Sequence, residues 1–247
     1  MRLVAHKNVF SDCTSVILAG GLGTRLNSVV IDRSKVVAEV NGRPFLTYLL
    51  DQLLGAGCEK AILCTGHLGE SVEKYCGTRY KNLALFYSRE TSPLGTAGAL
   101  RLALPIVKTS SLLVMNGDSF CDASLEDFYF HFVRKKKKAA VLLSEVSDTC
   151  RFGKVLLDER DNILAFSEKG LDGGSGWANA GVYLIHRGLI ETIPEGKPAS
   201  LEKQMFPRWI PAGIYGHRVR SPFLDIGTVE TYNTADRLFT QKKKDIP

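Results

Sequence analysis

Short apolar runs alternate with amphipathic stretches through the first half of the chain. Residues 16–19, 60–65, 83–87 and 112–115 are strand-length segments, continuously hydrophobic except for Lys60 and Thr65 at the ends of the second. Segments 44–57, 69–76 and 96–103 between them carry apolar residues at helical spacing. Strands without a polar face belong inside a sheet covered on both sides, and helices between such strands make βα units, so a mostly parallel sheet is predicted. Gly42-Arg43-Pro44 is read as a stop followed by a helix start, with Pro44 in the first helical turn. A further amphipathic helix is expected through Leu125, Phe128, Tyr129 and Phe132, with the basic run 134–138 in its last turn, where cations favour the helix dipole. Beyond residue 139 the pattern changes. Strands are predicted at 139–146, 153–157, 163–167 and 180–185, the second and third joined by the turn-forming residues 158–162. A capped helix follows from Ser200, then strands near 214 and 217–219, then a last helix over 229–240. The expected class is α/β, a mostly parallel mixed sheet flanked by helices, with antiparallel strands added.

The first strand runs into Leu18-Ala19-Gly20-Gly21-Leu22-Gly23-Thr24-Arg25-Leu26, with Lys35 nine residues beyond Leu26. Three glycines in four residues let backbone N–H groups approach an anion without interference from Cβ atoms, and Arg25 and Lys35 add positive charge. The dinucleotide fingerprint G-x-G-x-x-G fails at Leu26, and no G-x-x-x-x-G-K-[ST] occurs in the chain. Asn116-Gly117-Asp118 closes the strand at 112–115, which puts Asp118 at the carboxyl edge of a parallel sheet, where open α/β sheets bind ligands. Asp225, between Leu224 and Ile226, is a second carboxylate in apolar surroundings and in need of a cation. Two carboxylates plus phosphate oxygens are sufficient for Mg²⁺. Glu168, Lys169 and Asn179 offer an acid, a base and an amide close together, suited to hydroxyls and a phosphate. The five histidines show no ligand spacing, and no Ser-His-Asp arrangement supports acyl transfer.

Bulk properties narrow this picture without redirecting it. The 247 residues can bury one sizeable core, and one domain over 1–247 is expected: a nucleotide-binding part over about 14–120, a sugar-phosphate-binding part over about 121–228 and the terminal helix over about 229–240. The net charge of +6 would suggest nucleic acid. However, five positive charges at 134–138 and three at 242–244 exceed that total, and the remainder is near neutral. Basic residues are not interleaved with aromatics on one surface, so no nucleic-acid partner is expected. Six cysteines without a C-x-x-C pair read as reduced core thiols of a cytoplasmic protein. The apolar stretch before Gly20 is too short for a secretory leader and no apolar run reaches membrane length, so neither a leader nor a membrane partner is expected. Nothing in the composition opposes a homo-oligomer.

Taken in order, the Gly20–Leu26 loop, Ser34-Lys35, Gly42-Arg43-Pro44, Pro93-Leu94-Gly95-Thr96-Ala97-Gly98, Asn116-Gly117-Asp118, Glu168-Lys169, Asn179-Ala180-Gly181 and Asp225-Ile226-Gly227-Thr228 resemble the sugar-1-phosphate nucleotidyltransferases, or NDP-sugar pyrophosphorylases, over residues 14–240. The resemblance implies a Rossmann-like core of glycosyltransferase-A type and Mg²⁺-dependent transfer of a nucleotidyl group from an NTP to a sugar 1-phosphate. Over these residues the chain looks unlike members carrying a left-handed β-helix acyltransferase domain, and no such domain is expected. It implies that Leu18, Ala19, Gly20, Gly21, Gly23 and Thr24 line the nucleotide with Gly95, Thr96, Asn116 and Gly117. Arg25 would hold the β- and γ-phosphates, Lys35 would neutralise the α-phosphate, and Asp118 and Asp225 would hold Mg²⁺. Lys169 would bind the sugar phosphate, with Glu168, Asn179 and Gly181 on the sugar. A sugar phosphate is already anionic, so no general base is required.

Thymidylyl and uridylyl relatives place glutamine where this register places Glu90. A carboxylate only accepts hydrogen bonds, and guanine offers two adjacent donors where uracil and thymine offer a donor beside an acceptor, so GTP is the expected donor. The competing role for Glu90 is a surface ion pair with Arg89 or Arg101. Within the family the chain looks most like the branch that guanylylates a heptose 1-phosphate, with mannose 1-phosphate the nearest competitor. Ser34, Arg43 and Val229 depart from the usual proline, lysine and proline, and none of the three is a proposed ligand. A glycosyltransferase of the same core would show an Asp-x-Asp metal motif, which Asn116-Gly117-Asp118 is not. A regulatory subunit would be expected to lack Arg25, Lys35 or an aspartate, and all are present.

Overall fold

The computed structural model describes residues 9–21, 33–167 and 173–242. In chain order the first half comprises β1 (Cys13–Leu18), β2 (Glu39–Val40), β3 (Arg43–Pro44), α1 (Leu46–Gly55), β4 (Lys60–Thr65), α2 (Gly69–Cys76), β5 (Arg79–Tyr80), β6 (Leu83–Arg89), α3 (Gly95–Ala103), β7 (Ser111–Asn116), β8 (Ser119–Cys121) and α4 (Leu125–Lys135). The second half adds β9 (Ala139–Val146), β10 (Val155–Leu157), β11 (Ile163–Phe166), β12 (Gly176–His186), α5 (Arg187–Ile190), α6 (Phe206–Trp209), β13 (Ile214–Val219), β14 (Phe223–Asp225) and α7 (Val229–Lys242).

Eight strands form one sheet in the order β13-β9-β12-β7-β1-β4-β6-β5. Strands β7, β1, β4 and β6 run parallel, as do β9 and β13, while β12 is antiparallel to both of its neighbours. The hairpin β10–β11 and the pair β8–β14 supply the added antiparallel strands. Successive side chains of a strand point to opposite faces. Val16, Ile62 and Val114 pack into the layer containing Leu100 and Phe206, whereas Ile17, Leu63 and Met115 pack into the layer containing Leu46 and Phe128. A sheet apolar on both faces is what the continuous hydrophobic runs require.

Two local expectations are corrected. Pro44 does not open a helix. Asn41 and Gly42 both have positive φ, 51° and 75°, and form the two-residue turn of a small hairpin in which Val40 pairs with Arg43 and Glu39 with Pro44. Asn-Gly is the dipeptide such a turn favours, and it delays α1 to Leu46. The basic run is only partly helical. Arg134 and Lys135 complete the last turn of α4, Lys136 caps it in the left-handed region, and the chain enters β9 three residues later. The Ser200 cap is observed: its hydroxyl accepts from the Lys203 N–H at 3.2 Å, although the first turn, Leu201–Met205, is a π-helix that leads into α6. The six cysteines are free thiols, five buried and Cys150 half-buried. Among the described residues no helix is long and apolar enough to cross a membrane.

Candidate active site

The carboxyl ends of β1, β4, β6 and β7 converge on one edge of the sheet, and the expected chemistry gathers there. The Ala19 N–H donates to the Cys64 carbonyl at 2.8 Å and the Gly117 N–H to the Leu18 carbonyl at 2.9 Å, so the two loops leave the sheet side by side. A Cβ on Gly117 would lie 2.6 Å from the Leu18 oxygen, so the chain approaches there more closely than any larger residue permits. Ala19 is buried in the core behind this edge. Gly23, Thr24, Arg25, Glu168 and Lys169 lie outside the described residues.

Two cavities open on this edge and share Asn116 and Asp118 in their walls. The smaller, about 400 Å³, is lined by Leu18, Gly20, Gly21, Lys35, Glu90 and the Gly95-Thr96 turn. The larger, about 640 Å³, is lined by Asn179, Gly181 and Asp225, to which the sequence assigns a site role, and by Lys154, Ser200, Glu202 and Lys203, to which it assigns none.

Glu90 lines the smaller cavity. Its Oε2 accepts the Leu94 N–H at 3.0 Å. A Cβ on Gly66 would fall 2.5 Å from Oε1 and one on Gly20 would fall 3.0 Å from it, so both glycines make room for this carboxylate. Gly66 carries no motif signal in the sequence. Arg89 pairs with Glu70 at 2.7 Å and Arg101 with Glu195 at 2.9 Å, so neither takes up Glu90 as a surface partner. Burial pushes the Glu90 carboxyl above its ordinary range, against the Leu94 N–H that favours the charged form. The neighbouring turn is equally tight. Gly95 has φ 70°, and a Cβ there would sit 2.5 Å from the Ala199 carbonyl oxygen, which accepts the Ala97 N–H at 2.9 Å.

At the boundary, the Lys35 ammonium forms an ion pair with the Asp118 carboxylate. Burial opposes ionisation of Asp118, but Lys35, with the Ser119 hydroxyl 3.2 Å from Oδ1, outweighs it and holds the carboxyl below its ordinary range. Asp225 is brought to the same place by the pairing of β14 with β8, where it stands opposite Ser119, and the Ile226 N–H donates to the Asp118 carbonyl at 2.9 Å. Asp225 Oδ1 accepts the Gly227 N–H at 2.5 Å. Among the described residues no group of three or more His, Cys, Asp or Glu side chains is placed to hold a metal. Two carboxylates on one cavity wall are a hard-oxygen donor set that Mg²⁺ can use when phosphate and water complete its shell.

In the larger cavity the β12–β9 register shifts between Asn179 and Tyr183, and Gly181, at φ 73°, passes over the β7–β8 turn. Asn179 Oδ1 accepts the Gly181 N–H at 2.9 Å. The Tyr183 hydroxyl, which does not line the cavity, donates to the Glu202 carboxylate, which does, at 3.1 Å, a bond that no local motif announces.

The protein-family model described as Nucleotidyl transferase matches residues 14–242. The mannose-1-phosphate guanylyltransferase catalytic subunit beta of Drosophila melanogaster is 33% identical over 91% of this chain, which spans only 62% of that relative's length. The D-glycero-alpha-D-manno-heptose 1-phosphate guanylyltransferase of Aneurinibacillus thermoaerophilus is 31% identical over 90% of this chain and 96% of its own. The crystal structure of HddC from Yersinia pseudotuberculosis complexed with GMP-PN superposes with a TM-score of 0.81 at 30% identity, covering 92% of this chain and 99% of that one. With the family model matched across both cavities and the sheet between them, the chain belongs to the nucleotidyl transferase family.

Proposed function

We propose that this chain transfers the guanylyl group of GTP to a sugar 1-phosphate, giving a GDP-sugar and pyrophosphate, with D-glycero-α-D-manno-heptose 1-phosphate as the favoured acceptor. The observation that carries the choice of base is Glu90. It is a half-buried, acceptor-only group set against Gly20 and Gly66 in the smaller cavity, where it can receive two adjacent donors of guanine. Support for the acceptor comes from the heptose relative, which is 31% identical over 90% of this chain. The mannose relative is similar enough to make mannose 1-phosphate the second reading.

In this reading the smaller cavity takes the nucleotide and the larger one the sugar, with about residues 14–120 serving the first and 121–228 the second. The phosphates meet at the shared wall, where Lys35 neutralises the α-phosphate. Asp118 and Asp225 would hold Mg²⁺, which when bound supplies positive charge to the phosphate oxygens. A sugar-phosphate oxygen attacks the α-phosphorus as its bond to the β-phosphate oxygen breaks, and pyrophosphate leaves with both bonding electrons. Arg25 would hold the β- and γ-phosphates and Lys169, Glu168, Asn179 and Gly181 the sugar phosphate, on the resemblance of their motifs. The chemistry is positioning and electrostatics, with no side chain required to take a proton.

Pyrophosphate release with Mg²⁺, each of GTP, CTP, UTP, ATP and dTTP, and heptose and mannose 1-phosphates tests the reading. Turnover with GTP and heptose 1-phosphate is expected, and turnover only with another nucleotide would overturn it. Glu90→Gln adds a donor beside an acceptor and should move the GTP-to-UTP preference toward UTP by roughly tenfold or more. An unchanged ratio would remove Glu90 from base selection.

A further inference from the structure

The carboxylate of Glu202 is hydrogen-bonded to both halves of the site. Its Oε2 accepts the Thr96 hydroxyl at 2.9 Å and the Ser200 hydroxyl at 3.0 Å, and Thr96 Oγ1 in turn accepts the Leu201 N–H at 2.8 Å. Thr96 belongs to the turn that lines the smaller cavity. The other oxygen, Oε1, accepts the hydroxyl of the fully buried Tyr183 at 3.1 Å. A phenol has one proton, and a carboxylate can only accept, so that proton is committed to Glu202. The lone pairs of the Tyr183 oxygen must then receive donors. They receive the side-chain amides of Asn179 at 3.0 Å and Asn116 at 3.2 Å.

This order of donors and acceptors removes a choice from each amide. An asparagine side chain is nearly symmetric in shape and can turn over by half a rotation at little steric cost. Here the turn is forbidden, because a carbonyl facing the Tyr183 oxygen would oppose two acceptors. Asn179 is locked a second time by the Gly181 N–H on its Oδ1. What remains for a ligand is one N–H on each amide and the Asn116 carbonyl, which is buried and has no partner among the described residues. Asn116 lines both cavities and Asn179 the larger one.

The geometry points to Glu202 as a positioning residue for sugar recognition, acting through Tyr183 to set the donor and acceptor pattern that Asn116 and Asn179 present to hydroxyls of the sugar 1-phosphate, while its second oxygen holds the Thr96 turn of the nucleotide side. This deepens the guanylyltransferase reading and rests on it. Burial, followed by the Glu202 charge, pushes the Tyr183 hydroxyl well above its ordinary range, so the donor stays a donor at neutral pH.

The test is steady-state kinetics of wild type, Tyr183→Phe, Glu202→Leu and Glu202→Gln, using GTP with whichever of heptose or mannose 1-phosphate wild type prefers and the monodeoxy analogues of that sugar. Tyr183→Phe should raise the KM for the sugar 1-phosphate about tenfold and leave the KM for GTP within about threefold. Glu202→Leu should raise both. Glu202→Gln keeps an acceptor toward Tyr183 and should restore the sugar KM to within about threefold of wild type. For at least one deoxy analogue, the penalty in kcat/KM should be about tenfold in wild type and Glu202→Gln, and should nearly vanish in Tyr183→Phe, since the read hydroxyl then has no oriented partner. A role confined to folding would lower the melting temperature without moving that penalty. Equal deoxy penalties in wild type and Tyr183→Phe, with an active wild type, would overturn the positioning role alone. A folded wild type silent with every sugar 1-phosphate would overturn the guanylyltransferase reading and the positioning role with it.

Discussion

The two sides of the site reach a defined shape by different means. On the nucleotide side the backbone does the shaping. Gly20, Gly66 and Gly95 stand where a Cβ would meet Glu90 or the Ala199 carbonyl at 2.5 to 3.0 Å, and little else fits. On the sugar side, side chains do it. Tyr183, Glu202, Asn116 and Asn179 fix one another through hydrogen bonds of 3.0 to 3.2 Å, with Glu202 reaching across to Thr96 at 2.9 Å, and Asn116, Asn179 and Glu202 of this network line the larger cavity. Backbone shaping tolerates no addition of atoms. Network shaping tolerates a change of atoms that keeps the pattern of donors and acceptors.

Asp118 lies on the seam, so its replacement is the harshest way to probe the division. Asp118→Asn keeps the volume but removes the charge that faces Lys35 and that joins Asp225 in lining the larger cavity. A loss of about 10³-fold in kcat is expected, with folding retained, because electrostatic groups at a reacting phosphate contribute on that scale. Pyrophosphate release and a melting curve check both halves of the statement. If instead only the KM of one substrate rose, Asp118 would belong to one side and the seam would lie elsewhere.

The next contrast sets Gly95→Ala against Glu202→Gln. The alanine adds one methyl group at φ 70°, 2.5 Å from the Ala199 oxygen, and should cost about 2–4 kcal/mol of stability. The glutamine alters one atom in a network that can still pair and should cost under about 1 kcal/mol. Urea unfolding measures both. A glutamine variant less stable than the alanine variant would reverse the comparison, making the sugar side the brittle one.

The same difference explains what could be read from the chain. The glycine-rich loop at Gly20-Gly21 and Asp118 just after β7 pointed to a ligand from the residues themselves, and Gly95-Thr96 did so through the family resemblance. Gly66 escaped because it is a lone glycine after a strand, and its reason is Glu90, 24 residues away. Glu202 escaped more thoroughly. Its partners Thr96 and Tyr183 are 106 and 19 residues distant, and a glutamate in the first turn after a serine cap reads as ordinary helix chemistry. The Asn41-Gly42 hairpin was legible in principle, but the Pro44 signal for a helix start overrode it.

The mildest effect separates both sides of the site from the far edge of the sheet. His217 on β13 packs against the rings of Phe128 at 5.4 Å and His131 at 4.9 Å. Burial, reinforced by the neighbouring His131 and opposed by Asp127 and Asp161, lowers its pKa to about 4. In the unfolded chain it titrates near 6.5. Below that value the unfolded state takes up a proton that the folded state refuses until about pH 4. The contribution of His217 to stability is therefore complete above about pH 6.5 and is lost as pH falls from there toward 4. His217→Phe keeps a ring in the cluster and abolishes this titration, so the fall in urea midpoint between pH 7 and pH 5 should become shallower than in wild type. Neither substrate KM should change at pH 7, since His217 lines neither cavity. An unaltered slope would show that other groups carry the acid sensitivity. A shift in either KM would mean that the far edge of the sheet is coupled to the site, and the division between backbone-shaped and network-shaped sides would then have to include β13.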